Sequence, residues 1–92
     1  MIAYVECECM IHDAHSLKEK RAVLQRITTR LKQKFNVAVS EIDYQDVWQR
    51  TKIAIITVAS SKGAAEKEIE NALKFVDSFP EWERLDTSKE IL

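Results

Sequence analysis

Turn-forming residues are almost missing. Gly63 and Pro80 are the only glycine and the only proline in 92 residues. A single glycine cannot build a phosphate-cradling loop or a dinucleotide-binding turn, each of which needs several. The same shortage argues against a turn-rich sandwich or barrel. No apolar run approaches the roughly 20 residues of a membrane span, so no membrane contact is expected. The opening residues lack the basic-then-apolar layout of a secretion signal. Cysteine is confined to Cys7 and Cys9, two residues apart, a poor disulfide framework. Together these absences lead to the expectation of a reducing cytoplasm.

What remains is an ordinary foldable chain, 46% hydrophobic and 32% charged. Its size implies roughly 5,500 Å² of folded surface against roughly 15,500 Å² unfolded, enough burial for one core. A single domain over residues 1–92 is expected.

Hydrophobic periodicity gives the elements. Over residues 2–12, Ala3, Val5, Cys7, Cys9 and Ile11 alternate with Ile2, Tyr4, Glu6, Glu8, Met10 and His12, the pattern of a half-buried strand. Ser16 followed by Glu19 reads as a capping box. Leu17, Leu24, Ile27, Leu31 and Phe35 then recur at helical spacing, predicting a helix over 17–34 with Asn36 as its left-handed stop. Strands are expected over 37–43 and 51–60. A second helix follows over 63–78, with Ala65, Ile69, Ala72, Leu73 and Val76 as its stripe. Pro80 ends it, and an irregular last strand covers 82–92. The order βαββαβ implies an α+β, ferredoxin-like fold: a four-stranded antiparallel sheet with two helices on one face. Isoleucines 53, 55 and 56, with Ala54 and Val58, make the third strand apolar on both sides. A covered second face, and hence a homodimer, is the expectation, with Tyr4 and Ile56 on it.

Charge is uneven. Residues 18–34 carry seven bases and one acid, +6, within a chain of net charge −1. Lys18, Arg21, Gln25 and Lys32 are spaced to share one side of the helix, and Arg26, Arg30 and Lys34 another. Lys18, Lys20, Arg21, Arg26, Arg30 and Lys32 are therefore candidate phosphate contacts. The plainer alternative is a solvated face neutralised by nearby acids. Base stacking on the sheet is disfavoured, because the third strand has no aromatic and Glu6 and Glu8 repel phosphate.

Other groups offer less. Cys7 and Cys9 share a strand face that His12 does not, so a metal site with His15 is not expected, and the thiols read as core. Neither they nor the Glu6–Glu8 pair suggests catalysis, and no cofactor is implied. His15, beside the helix start, is a loop residue or an anion contact. The connection Asp43-Tyr44-Gln45-Asp46-Val47-Trp48-Gln49-Arg50 is either a hairpin fixed by Asp–Arg pairing, with Trp48 packed on a sheet edge, or an interface anchored by Trp48.

Three segments carry a resemblance: Ala14-His15-Ser16-Leu17-Lys18-Glu19-Lys20-Arg21, Lys34-Phe35-Asn36-Val37, and Asp43-x-Gln45-Asp46-x-Trp48-Gln49-Arg50. In them the chain resembles the YlxP-like family of small bacterial proteins of unknown function. The likeness runs to about residue 80 and departs at Cys7 and Cys9, where aliphatics are the family's habit. It implies a ferredoxin-like fold, no established activity, and, through neighbouring genes for translation factors, work on RNA or the ribosome. The motif positions it marks are His15, Ser16, Lys18, Lys20, Arg21, Asp43, Gln45, Asp46, Trp48 and Arg50, without assigned roles.

Overall fold

A computed structural model describes residues 1–92. Its elements are β1 (Ile2–Met10), α1 (Leu17–Lys34), β2 (Ala38–Asp43), β3 (Arg50–Val58), α2 (Lys62–Asp77) and β4 (Glu83–Ile91). The strands form one antiparallel sheet in the order β2-β3-β1-β4. This is the ferredoxin-like α+β arrangement. The accessible surface is 5404 Å², close to what the chain's mass implies for a single folded body. No helix is long and apolar enough to cross a membrane.

The core follows from the two periodicities. Ala3, Val5, Cys7 and Cys9 of β1 are fully buried beside Ile53 and Ile55 of β3. Every second residue of each strand thus points into one layer. Ile27 and Leu31 of α1, and Ala65, Ile69, Ala72 and Val76 of α2, close that layer from the same side. Small residues on α2 and β1 let helix and sheet approach closely. After Pro80 the chain turns back, burying Trp82, whose Nε1–H donates to the Val76 carbonyl at 2.8 Å.

Two local expectations are corrected, and a third feature agrees with expectation. β1 ends at Met10 rather than His12: the Ile11 N–H still reaches the Gln49 carbonyl at 2.8 Å, and the chain then turns toward α1. Asn36 is not a left-handed stop, since Tyr44 alone among non-glycine residues has positive φ. Instead the Asn36 N–H donates to the Glu68 carboxylate at 2.8 Å, and its side-chain amide donates to the Val58 carbonyl at 3.3 Å. β4 carries a bulge opposite Glu8–Cys9, in line with its uneven sequence.

The sheet face away from the helices is apolar at one end only. Cross-strand neighbours there run Ile2–Val58, Tyr4–Ile56, Glu6–Ala54, Glu8–Lys52 and Met10–Arg50. Ile56 and Val58 are 37% and 62% exposed. Arg50 and Lys52, by contrast, pair with Glu8 at 2.8 Å and Glu6 at 3.6 Å. The apolar second side expected from β3 is therefore limited to one end, and the other end is an ion-pair ladder. The strand begins one residue earlier than expected and so adds Arg50 to the side that already held Lys52.

Candidate nucleic-acid interface and the clamp beneath it

Helix α1 starts as its sequence dictates. Ser16 has an extended backbone, and its Oγ accepts the Glu19 N–H at 3.1 Å. The return arm differs from a standard capping box. The Glu19 carboxylate accepts the N–H of His15 at 2.6 Å rather than that of Ser16. His15 is thereby fixed by its backbone, and its ring stays exposed. Lys32 and Lys34 close the helix at its negative end.

Lys20 departs from expectation. The sequence places it among the candidate phosphate contacts, yet its side chain is fully buried. Its ammonium donates to the carbonyls of Tyr44 and Gln45 and pairs with Glu41 at 2.9 Å. Glu41 also accepts the Thr51 hydroxyl at 2.6 Å. Lys20 therefore belongs to the interior, not to a nucleic-acid surface. A buried ammonium is tolerable only with such a full complement of acceptors. The spacing contains the signal: Lys20, Leu24, Ile27 and Leu31 stand at i, i+4, i+7 and i+11, which sets the lysine on the apolar stripe.

This ammonium shapes the connection between β2 and β3. Tyr44 sits at φ 62°, a left-handed conformation uncommon for a bulky residue, and its N–H is accepted by Asp43 at 2.7 Å. Its carbonyl points to Lys20, and its ring lies 4.8 Å from the Arg50 guanidinium. Gln49 ties the far side, donating to the carbonyls of His12 at 3.0 Å and Ala14 at 3.2 Å. The two long motifs thus meet in space through backbone carbonyls. Of the two readings of the connection, Asp–Arg pairing is not what fixes it, because Arg50 engages Glu8. That hydrogen bond holds the Glu8 carboxyl below its usual range and raises Arg50. Asp43, Gln45 and Asp46 are exposed on the clamped loop, and Trp48 is 52% exposed at its tip. Trp48 is not packed on a sheet edge.

The outer face of α1 collects the remaining bases. Lys18, Arg21, Arg26, Arg30 and Lys32 are all exposed. Arg26 pairs with Glu81, while Lys18, Arg21, Arg30, Lys32 and Lys34 have no carboxylate within 4.0 Å. Arg30 lies 5.9 Å from the Phe79 ring and Lys34 lies 4.8 Å from that of Phe75. A shallow groove runs along the outer face, lined by Ala22, Gln25, Arg26, Thr29, Arg30 and Gln33. Neutralisation by nearby acids, the plainer reading of this stretch, reaches only one of its exposed bases. Of the neutral residues of that groove only Gln25 stands out in the sequence; Ala22, Thr29 and Gln33 carry no charge or motif to mark them.

The other candidates separate from this face. Tyr4 donates its hydroxyl to Glu6 at 2.9 Å on the open sheet side, which raises the phenol, and Ile56 lies beside it. Cys7 and Cys9 are buried, and desolvation pushes their thiols up to about 11 and about 12. Such thiols are neither nucleophiles nor ready metal ligands at neutral pH.

Comparison with known proteins adds two findings. A family model described as protein of unknown function (DUF503) matches residues 2–89. The uncharacterized protein YlxP of Bacillus subtilis (strain 168) is 60% identical over 90 residues, covering 98% of each chain.

Proposed function

The chain belongs to the DUF503 family of proteins of unknown function, and from that premise we propose that it is a non-enzymatic cytoplasmic protein that contacts RNA, on the ribosome or free, through the outer face of α1. One observation carries the reading: five bases of α1 have no carboxylate within 4.0 Å in a chain whose net charge is −1. Acids are plentiful in this sequence, yet none pairs with these five. Glu6 and Glu8 pair with β3, Glu41 with Lys20, and Asp77 with Arg84. Such a strip attracts phosphates and neutralises them without reading sequence. The non-enzymatic part is supported by the burial of both thiols and by the ion pairs that hold Glu6 and Glu8.

Binding to ribosomal RNA measured across a salt series tests the proposal. Affinity should fall steeply as salt rises, and Arg21→Glu with Lys32→Glu should abolish it while the circular dichroism spectrum is kept. Absent or salt-independent binding defeats it.

A second reading has its own observation. Ile56 and Val58 are exposed beside Ile2 and Ala38 at the apolar end of the open sheet face. That patch suits a homodimer formed sheet against sheet. Ile56→Lys should convert the dimer to a monomer in sedimentation. An unchanged association state with the fold intact defeats this reading.

A further inference from the structure

A hollow remains where β1 gives way to α1. Ile11 and Ala14, from the turn between them, and Ala22 and Val23, from the second turn of the helix, form its apolar floor. Ile11 and Ala14 are 1% and 3% exposed, so the floor reaches the core. Ala22 and Val23 follow Glu19 by three and four positions, which sets all three on one side of α1. Alanine at 14 and 22 leaves the space open, since neither side chain extends beyond Cβ. The volume is about 320 Å³, at the small end of the roughly 300–1,000 Å³ of ligand sites. The rim is acidic, and its carboxylates come from three segments: Asp13 before α1, Glu19 in its first turn, and Glu81 between α2 and β4. Arg26 pairs with Glu81. Glu19 gives one oxygen to the His15 N–H, and neither Glu19 nor Asp13 has a cation within 4.0 Å. Lys18 stands about 100° round the helix from Glu19, toward the outer face, and does not line the hollow. Two carboxylates of the rim are therefore left unneutralised.

We infer that this hollow binds a short aliphatic diamine, with its methylene chain on the floor of Ile11, Ala14, Ala22 and Val23 and its ammonium groups on Asp13 and Glu19. The inference is separate from the RNA-contact reading and uses none of its bases. Charge complementarity selects the sign of the ligand, because a phosphate or any other anion would meet carboxylates at the rim. The floor selects its body. A bare divalent cation needs about six oxygen ligands, and here carbon lies beneath it. A neutral hydrocarbon would cover the floor but strip water from the carboxylates without compensation. An alkylammonium meets both demands, as a lysine does when its stem lies on apolar surface and its head stays in water. The number of charges separates a free diamine from a single lysine side chain. Two unneutralised carboxylates on separate segments, beside one apolar floor, match a cation at each end of one chain.

The experiment titrates the intact protein at constant ionic strength, by calorimetry and by methyl NMR, with putrescine (diaminobutane), butylamine, butanediol, magnesium chloride and a capped glycyl-lysyl-glycine peptide. Putrescine should bind saturably and shift the methyl signals of Ile11, Ala14, Ala22 and Val23. Butylamine should bind about two- to fivefold more weakly, the worth of one exposed ion pair. Butanediol and magnesium should leave those signals in place at the same concentration. Glu19→Gln should bring putrescine down to the level of butylamine. Glu70→Gln, the same change of charge at an exposed position of α2, should leave putrescine binding unchanged. Ala22→Leu fills the hollow without altering a charge and should abolish binding. Position 22 is exposed and leucine is a strong helix former, so this variant keeps the fold, and circular dichroism checks it. Unchanged binding by Ala22→Leu, or competition by magnesium as effective as putrescine, overturns the inference by showing a diffuse acidic surface in place of a site. Tighter binding of the lysine peptide than of putrescine overturns it in favour of a protein partner. Absence of saturable putrescine binding overturns it outright, and none of these outcomes touches the RNA-contact reading.

Discussion

Lys20 and Arg21 are adjacent in the chain and opposite in consequence. Lys20 faces inward, fully buried, with its ammonium held by two loop carbonyls and Glu41. Arg21 faces outward with no acidic partner. The inner side of α1 spends a positive charge on shape, and the outer side leaves its charges free. A buried charge without partners is costly, so the interior must supply every acceptor. An exposed one is solvated and interacts weakly with neighbours, so it is available to a ligand. Composition counts both residues alike; only burial distinguishes them.

The contrast can be broken most sharply at Lys20. Lys20→Ala strands Glu41 and two loop carbonyls, and should cost about 3–5 kcal/mol in denaturant unfolding, the range for breaking a buried pair from one side. A loss below about 1 kcal/mol, typical of a surface pair, would mean that the ammonium reaches solvent. The compensated pair Lys20→Met with Glu41→Gln removes both charges and should recover more than half of that loss, because the uncompensated charge is the larger part of the penalty.

Ser16→Ala probes the start of the same helix and should cost about 1 kcal/mol through the lost Oγ acceptor. The buried thiols extend the comparison to acid–base behaviour. Their folded values of about 11 and about 12 stand above the ordinary 9.0. The folded state therefore holds more protons than the unfolded state in that interval. The resulting stability is complete below pH 9 and is lost as pH rises toward 12. Replacing both cysteines with alanine should flatten the alkaline limb of a stability–pH curve, and an unaltered limb would show the thiols to be exposed. The smallest effect is expected outside. Arg21→Gln and Lys32→Gln should each change stability by less than about 0.5 kcal/mol, even where they weaken RNA binding.

Much of this architecture was readable from pattern alone. The alternation in β1 named its buried face residue by residue, and Ser16 with Leu17 placed the start of α1. Local rules suffice there because each residue's partner is a neighbour in the chain. Readings failed where the partner was distant. Asn36 was assigned a left-handed stop and instead bonds Glu68 and Val58. One of the two readings of the β2–β3 connection pairs Arg50 with an acid of its own loop, whereas Arg50 bonds Glu8. Lys20 lay visibly on the apolar stripe, but nothing local reveals that Glu41 and the Tyr44 and Gln45 carbonyls await it.

The order of elements, the core faces and the unequal spread of charge were determined by the residues themselves, through periodicities that act over a few positions. Tertiary structure decided which bases are structural and which are free, how far the open sheet face is apolar, and that the two motifs meet. The reason is physical: a charge acquires its role from the desolvation and the acceptors around it, and those arrive from strands 21 residues away for Lys20 and 42 for Arg50 only when the sheet closes.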